Sequence, residues 1–336
     1  MRSRKNTLLV IRMSALGDVA MTVPVIYSFA RQYPDWEVKV LTQGFFQKIF
    51  LDRPANVSFI TADPRGRHRG LPGLIRLVRD AHRSGACTVA DFHNVFKSWI
   101  VDLSFLLCGH SVGIVRKKRK DRRRLTRLQG KETSPQRSFI LRYFDVLQRL
   151  GLPAGVHFTS LFPEREKGTG PERRIGIAPF ARYFTKTYPL QMMEKVVGTL
   201  SGEGMSVFLF GSRGREAELL KEWEERYPGV TAVAGTLTID RELELMSSLD
   251  LMVSMDSANM HLASLAGTRV LSVWGGTTVQ CGFIGWRQTE EDAVCLHLPC
   301  QPCSIAGTPE CPLGHFDCMK NLNPEIICKK ITDLVR

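Results

Sequence analysis

Short apolar runs recur along the chain, each followed by a longer stretch whose apolar residues fall three and four apart. TLLVIR (7–12), EVKVLTQ (37–43), VSFITAD (57–63), CTVADFH (87–93) and SVGIV (111–115) have the length and β-branched character of strands. PVIYSFARQYP, FFQKIFLDRP, LPGLIRLVRDAHRSG and VFKSWIVDLSFLLCG, which lie between them, have the spacing of helices. SPQRSFILRYFDVLQRLGLP reads as one long helix stopped by Gly151 and Pro153. The polar FPEREKGTGPERR (162–174), with its Pro and Gly, breaks the rhythm and reads as a linker.

The alternation then restarts. RIGIAPF, MSVFLFGS, VTAVAG, LMVSMD and RVLSVWG read as strands, and PLQMMEKVVGTLSGEG, GREAELLKEWEERYPG, DRELELMSSLD and SANMHLASLAG as helices. A βαβα order of this kind implies parallel sheets covered by helices on both faces. The expectation is an α/β chain of two doubly wound, Rossmann-like domains in tandem, 1–165 and 166–336. Ligands of such sheets bind outside the carboxyl ends of the strands. Two such sheets are expected to face each other across a cleft into which both sets of strand ends open.

Composition changes this picture in one respect. With 43% hydrophobic and 24% charged residues, the chain is that of an ordinary globular protein. No apolar run reaches the ~18 residues of a membrane span, and the basic-then-apolar start reads as the first strand of a cytoplasmic protein. The net charge of +13, however, is divided unevenly. Residues 1–165 hold 29 Lys+Arg against 12 Asp+Glu, and residues 166–336 hold 17 against 21. RKKRKDRRR (116–124) alone carries eight bases and one acid. It reads either as a solvated loop or as a site for an acidic surface, with anionic lipid favoured over nucleic acid because few aromatics are interleaved.

Several strand ends carry candidate chemistry. The loop SALGDV has Gly17 alone where a dinucleotide site would show G-x-G-x-x-G, which argues against NAD or FAD. Its Asp18 reads equally as a helix cap or as a general base, and Thr22 followed by Pro24 offers the next helix a cap of its own. In APFARYFTKTYP, Arg182 and Lys186 suit a phosphate or diphosphate, or are simply exposed. In DSANMH, Asp256 and Ser257 open a helix whose N-terminus suits an anion. Asp256 could cap that helix or hold a ribose hydroxyl, and His261 shares a face with Ser257. GGT (275–277) is expected to add flexible backbone nearby. Asp91, His93, Asn94 and Lys97 end another strand of the first half. Nine cysteines, two in the first half and seven after residue 280, are not a disulfide framework. Cys300, Cys303, Cys311 and Cys318 offer four thiolates for a structural Zn²⁺, or are reduced thiols in a loop-rich tail.

With these pieces in order, the chain resembles the ADP-heptose:lipopolysaccharide heptosyltransferases, glycosyltransferase family 9, whose fold is GT-B. The resemblance rests on VIRMSALGDVAMTVPVI, VADFHNVFKS, TKTYP and DLMVSMDSANMHLASLAGTRVLSVWGGT, and extends to the tail CPLGHFDCMKNLNPEIICKKI. It implies an inverting transferase that moves a sugar, heptose by family habit, from an ADP-activated donor to a phosphorylated lipopolysaccharide-core glycolipid. Asp18 would be the base. Lys186 would stabilise the leaving diphosphate, and Arg182, Asp256, Ser257, Ala258 and His261 would complete the donor site. Ser14, Gly17, Asp91, His93, Asn94, Arg116 and Lys117 would meet the acceptor. No catalytic metal or other cofactor is required, and the basic half would sit against the inner-membrane surface; nucleic acid is not an expected partner. Ala258 and Asn259 stand where members often carry a Gly-Pro-like pair. Two other readings are a nucleotide-sugar-processing enzyme such as an epimerase on the same fold, and a non-catalytic adaptor for anionic lipid or nucleic acid.

Overall fold

The computed structural model describes residues 6–131, 134–163 and 173–336. The chain forms two compact units, Met1–Lys117 with Phe139–Thr159, and Lys118–Ser138 with Ser160–Arg336. Segment 118–138, assigned to the first domain on sequence, thus belongs with the second unit. Most of the stretch read as a linker, 164–172, lies outside the described residues.

The order begins β1 (Thr7–Ile11), α1 (Leu16–Ala20), α2 (Val23–Gln32), β2 (Glu37–Gln43), β3 (Val57–Ala62), α3 (Gly70–His82), β4 (Thr88–Asp91), α4 (Phe96–Leu107), β5 (Ser111–Ile114), α5 (Arg119–Leu125) and α6 (Phe139–Arg149). The strands of the first unit pair in parallel in the order β3-β2-β1-β4-β5. β1 is buried along its whole length, as a central strand covered on both faces must be, and so reads as an unbroken apolar run. Its core gathers Leu9, Ile11, Leu41, Leu77, Val89, Val101 and Phe105. Burying a side chain of this size contributes ~1.5–3 kcal/mol.

Three segments depart from the sequence reading. FFQKIFLDRP, read as a helix, forms only a short 3-10 turn over Gly44–Ile49. Part of the basic run is the helix α5, entered through Lys118 in the left-handed region (φ 42°), and not a loop. The long helix expected from Ser134 starts only at Phe139. The residues before it are drawn out to the second unit, where the Gln136 N–H donates to the Gln280 carbonyl at 2.8 Å.

The second unit continues with β6 (Arg174–Ala178), α7 (Leu190–Gly202), β7 (Ser206–Leu209), α8 (Arg215–Arg226), β8 (Val230–Ala232), α9 (Ile239–Ser247), β9 (Leu251–Met255), α10 (Ala258–Leu265), β10 (Val270–Val273), β11 (Ala293–Val294), α11 (Asp317–Lys320) and α12 (Pro324–Val335). Its six strands are parallel, in the order β11-β10-β9-β6-β7-β8. β11 and the two last helices were not read from the sequence. α12 is well specified locally: Asn323 accepts the Glu325 N–H at 3.0 Å and Pro324 opens the first turn. Ile327, Ile331 and Val335 then join the core around Ile175, Ile177, Val253 and Trp223.

Both sheets follow the same doubly wound order, and each has one point where that order reverses. In the first it lies between β1 and β4, with Ile11 beside Asp91. In the second it lies between β6 and β9, with Ala178 beside Ser254. At these points the loops leaving two adjacent strands turn to opposite faces and open a crevice for a ligand. Among the described residues no helix is long and apolar enough to cross a membrane.

Candidate active site

The switch point of the first unit joins the loop after β1 to the loop after β4. Arg12, the first residue beyond β1, is buried. Its Nη2 meets Asp18 Oδ2 at 2.6 Å, and its Nη1 donates to the Phe92 carbonyl at 2.8 Å and to the Tyr143 hydroxyl at 3.4 Å. Burial opposes the charge, but Tyr143, Asp18 and Asp91 more than offset it, holding Arg12 above its ordinary range. Asp18 is the third residue of α1, so it does not occupy the N-cap position, which falls to Ala15. Its Oδ2 accepts the Ala15 N–H at 3.3 Å as well as the Arg12 pair. Both contacts fall on one oxygen, and Oδ1 has no partner among the described residues. The side chain is 31% exposed, open enough to receive a substrate hydroxyl.

Thr22 does hold the N-cap position of α2, with Pro24 in the first turn. Its hydroxyl, however, donates back to the Val19 carbonyl at 2.7 Å, so α2 begins without a side-chain cap.

The β4 loop completes this half. His93 is buried, and its Nε2 lies 3.5 Å from Ser14 Oγ. Burial, with Arg12 and Lys117 adding to it, pushes the imidazole down to about 3, so His93 is neutral at ordinary pH. Asp91, read from the sequence as a lining residue, points inward. Its carboxylate takes the His93 N–H at 2.7 Å, the Asn94 N–H at 2.9 Å and the Ser98 hydroxyl at 2.8 Å. Asn94 is also spent on the loop. It adopts φ 53°, donates to the Val115 carbonyl at 2.6 Å and accepts from Trp99 Nε1 at 2.8 Å. Lys117 Nζ donates to the Asn94 carbonyl at 2.9 Å, whereas Arg116 is exposed and contributes its own carbonyl to Arg142. Gly17 lies within α1, half-buried, and Lys97 is half-buried in the first turn of α4.

Asp102 lies buried beside Asp91, and among the described residues no N–H or O–H donor reaches either of its oxygens. Burial first, and then the facing Asp91 carboxylate, push it up to about 9, so it carries a proton. The sequence shows Asp102 only as an interruption in an apolar helix. Arg12 is as well hidden, since it reads as the polar end of a strand.

In the second unit the β6 loop brings Lys186 to the β9 loop. Lys186 Nζ lies 2.9 Å from Asp256 Oδ2, which also accepts the Thr277 hydroxyl at 2.7 Å. Asp256 is buried and Lys186 nearly so. Asp256 therefore does not cap α10, whose N-cap is Ser257, with the Ser257 and Ser254 hydroxyls 3.3 Å apart. Ala258 is the first residue of α10, and His261 is buried within it. The helix N-terminus thus lies directly after an acid paired with a lysine, and no side chain caps it, an arrangement that suits an anion.

The Lys186 loop is held from both sides. Gly276 N–H donates to the Thr185 carbonyl at 2.7 Å, and the Thr185 hydroxyl meets the Thr308 carbonyl at 3.0 Å. A Cβ on Gly276 would come within 2.8 Å of Thr185 Cβ, so this glycine serves close approach and not the flexibility expected of it. Gly307, at φ +91°, lies against the lysine stem, where a Cβ would come within 2.6 Å of Lys186 Cδ. Arg182 does not join this group; it is exposed, with its guanidinium 5.4 Å from the Tyr183 ring centre.

All nine cysteines are free. Burial pushes the Cys318 thiol up to about 12 and raises Cys303 too, which favours thiol over thiolate. Among the described residues no three His, Cys, Asp or Glu side chains converge as a metal ion would need, so Cys300, Cys303, Cys311 and Cys318 form no such cluster.

The switch point of the first unit thus carries an anchored carboxylate, and that of the second a lysine beside a helix N-terminus. Comparison with known proteins shows the family. Residues 89–313 match the family model "Glycosyltransferase family 9 (heptosyltransferase)". Lipooligosaccharide heptosyltransferase 2 of Campylobacter jejuni is 24% identical over 333 residues, covering 96% of each chain. The glycosyltransferase family 9 structure from Veillonella parvula superposes with a TM-score of 0.73 at 16% identity, over 100% of this chain and 98% of that one. Escherichia coli ADP-heptose lipopolysaccharide heptosyltransferase II gives 0.69 at 18% identity, over 98% of both chains. The chain is therefore a glycosyltransferase of the GT-B class and belongs to glycosyltransferase family 9, the heptosyltransferase family.

Proposed function

We propose that this enzyme transfers heptose, with inversion, from an ADP-activated donor to a phosphorylated lipopolysaccharide-core glycolipid at the inner-membrane surface. The observation that carries the reading is Asp18. Arg12 and the Ala15 N–H secure Oδ2, and Oδ1 remains to accept the proton of the acceptor hydroxyl as that oxygen attacks the anomeric carbon. Neutral His93, beside Ser14, orients the hydroxyl without competing for its charge. In the second unit Lys186 has three N–H donors; one holds Asp256, and the others serve the departing diphosphate together with the N-terminus of α10 at Ser257 and Ala258. A lysine and a helix terminus supply the positive charge that a divalent ion would otherwise bring, so this reading needs no catalytic metal. The donor and acceptor classes follow relatives that are a lipooligosaccharide heptosyltransferase 2, a lipopolysaccharide heptosyltransferase 3 and an ADP-heptose lipopolysaccharide heptosyltransferase II.

A thermal-shift comparison of ADP, UDP and GDP, alone and as their sugars, tests the donor. A ligand bound only by the folded state raises Tm, and ADP compounds should raise it most. Asp18→Asn should keep that shift and lose roughly 10²–10⁴-fold in kcat, the usual worth of a positioned base. Retained turnover in Asp18→Asn, or no preference for ADP, would overturn the assignment.

A further inference from the structure

Helix α4 is amphipathic in an unusual sense. Ser98, Val101, Asp102 and Phe105 face the core, while Phe96, Trp99, Leu103, Leu106 and Leu107 point to water. At 3.6 residues per turn these five fall within about 100° of one another on the helix wheel. They are 41% to 80% exposed, the extremes being Trp99 and Leu107. α3 packs beside α4, with the His82 ring stacked on Phe105 at 4.1 Å and its Nε2 3.1 Å from Ser104 Oγ. It adds Leu71 and Ile75, exposed at 77% and 63%. Scattered exposed leucines need no explanation, but seven large apolar side chains on two adjacent helices do.

The charge around this face is of one sign. Between Pro64 and Lys117 the chain carries nine Lys and Arg and only three Asp. Asp91 and Asp102 are buried, and Asp80 is engaged by Arg67, His68 and Arg83. Arg69, Arg76, Arg79 and Arg83 stand exposed along α3 and its ends. Leu and aromatic side chains on one helical face, bordered by arginines and without an unpaired acid, are the pattern of a helix lying in the interface of an anionic bilayer. The face is also continuous with the candidate site. Phe96 follows the His93–Val95 loop directly, and Trp99 is tied to Asn94.

We infer that the α3–α4 face is the surface by which this enzyme seats itself on an anionic lipid bilayer, with Phe96, Trp99, Leu103 and Leu107 entering the headgroup zone. This deepens the acceptor assignment and rests on it for the purpose of the contact, since an acceptor with lipid chains is presented only at such a surface.

The test is flotation of the full chain with phosphatidylcholine vesicles, with and without phosphatidylglycerol, for the wild type and for Leu103→Glu/Leu107→Glu. Both positions are exposed, so Tm should be unchanged. The wild type should float with phosphatidylglycerol vesicles, and the variant should bind them roughly tenfold or more weakly. Brominated lipid should quench a part of the fluorescence that Trp99→Phe removes. Equal flotation of variant and wild type, absence of Trp99 quenching, or a wild-type dimer in sedimentation that the variant abolishes while neither binds vesicles would each overturn the inference. The ADP-induced rise in Tm, measured in parallel, separates the two proposals. Its loss with flotation intact removes the donor assignment and leaves the surface, and the converse result does the opposite.

Discussion

The guanidinium of Arg12 and the carboxylate of Asp18 meet at 2.6 Å across the loop that leaves β1. The arginine is buried and the aspartate partly open, so the pair joins the core of the first unit to its candidate base. Arg12→Met should therefore act on both. It removes the Arg12 donations to the Phe92 carbonyl and the Tyr143 hydroxyl and releases the Asp18 side chain from its ion pair. The expected loss is about 2–3 kcal/mol of stability, below the full cost of a broken buried pair because Asp18 is partly solvated. A fall in kcat is expected alongside it. Arg12→Lys keeps the charge but not the two-pronged reach to Asp18 and Phe92, and should fall between. Denaturant melts and steady-state rates check both.

The pairing of Lys186 with Asp256 predicts strong coupling. Removing either partner leaves a charge in a nearly dry site. Lys186→Met should cost about 3–5 kcal/mol and greatly weaken the ADP-induced stabilisation. The double variant Lys186→Met/Asp256→Asn should be less damaged than the sum of its parts by at least about 1 kcal/mol. Strict additivity in a double-mutant cycle would contradict the pairing.

Gly307 gives a more local test. Alanine there must adopt φ +91° and place a methyl group against the Lys186 stem. Gly307→Ala should destabilise the fold by about 1 kcal/mol or more and raise KM for the donor, while KM for the acceptor stays unchanged.

The first unit should also show a distinctive pH dependence. Asp102 is raised to about 9 in the folded state, so between its ordinary carboxylate range and pH 9 the native chain binds more protons than the unfolded one. Stability then falls as pH rises, by up to about 1.4 kcal/mol per pH unit. His93 is depressed to about 3, so the unfolded chain binds more protons between there and the ordinary histidine range, and stability falls as pH drops through that window. The two slopes oppose each other in mild acid, and from neutral pH upward only the Asp102 slope remains. Wild-type Tm should decline from pH 7 to 9. Asp102→Asn should flatten that decline, and His93→Gln, by removing the opposing slope, should make Tm rise as pH falls through mild acid. Melts across pH 4–9 would show whether either substitution leaves its slope unchanged.

Much of this protein was legible in the chain itself. Strands buried on both faces have to be continuous apolar runs, so β1 and β9 announced themselves. Helices with one wet face carry their period, and α7 and α8 sit where that period put them. The doubly wound order directs attention to the connections after β1, β4, β6 and β9; His93, Lys186 and Asp256 stand on the last three, and Asp18 stands in the short helix that the first one enters.

Which partner each of those residues takes was decided only by the tertiary structure. Sequence spacing cannot show that Arg12 turns inward to Asp18, that Lys186 and Asp256, 70 positions apart in number, close on each other at 2.9 Å, or that Asp102 is buried against Asp91. The Lys186–Asp256 pair is an encounter between loops brought together where strand order reverses, while Arg12–Asp18 and Asp91–Asp102 close within single connections whose inward direction is set by packing, not local propensity. The same holds for the surface of α4. An apolar helix reads as core from its composition, and only the packing of Val101 and Phe105 inward shows that Trp99, Leu103 and Leu107 are left facing out. Local patterns determine which element forms, because backbone and side-chain preferences act over a few residues. Which charges are buried together, and which apolar faces stay open, follows from the topology that stacks those elements.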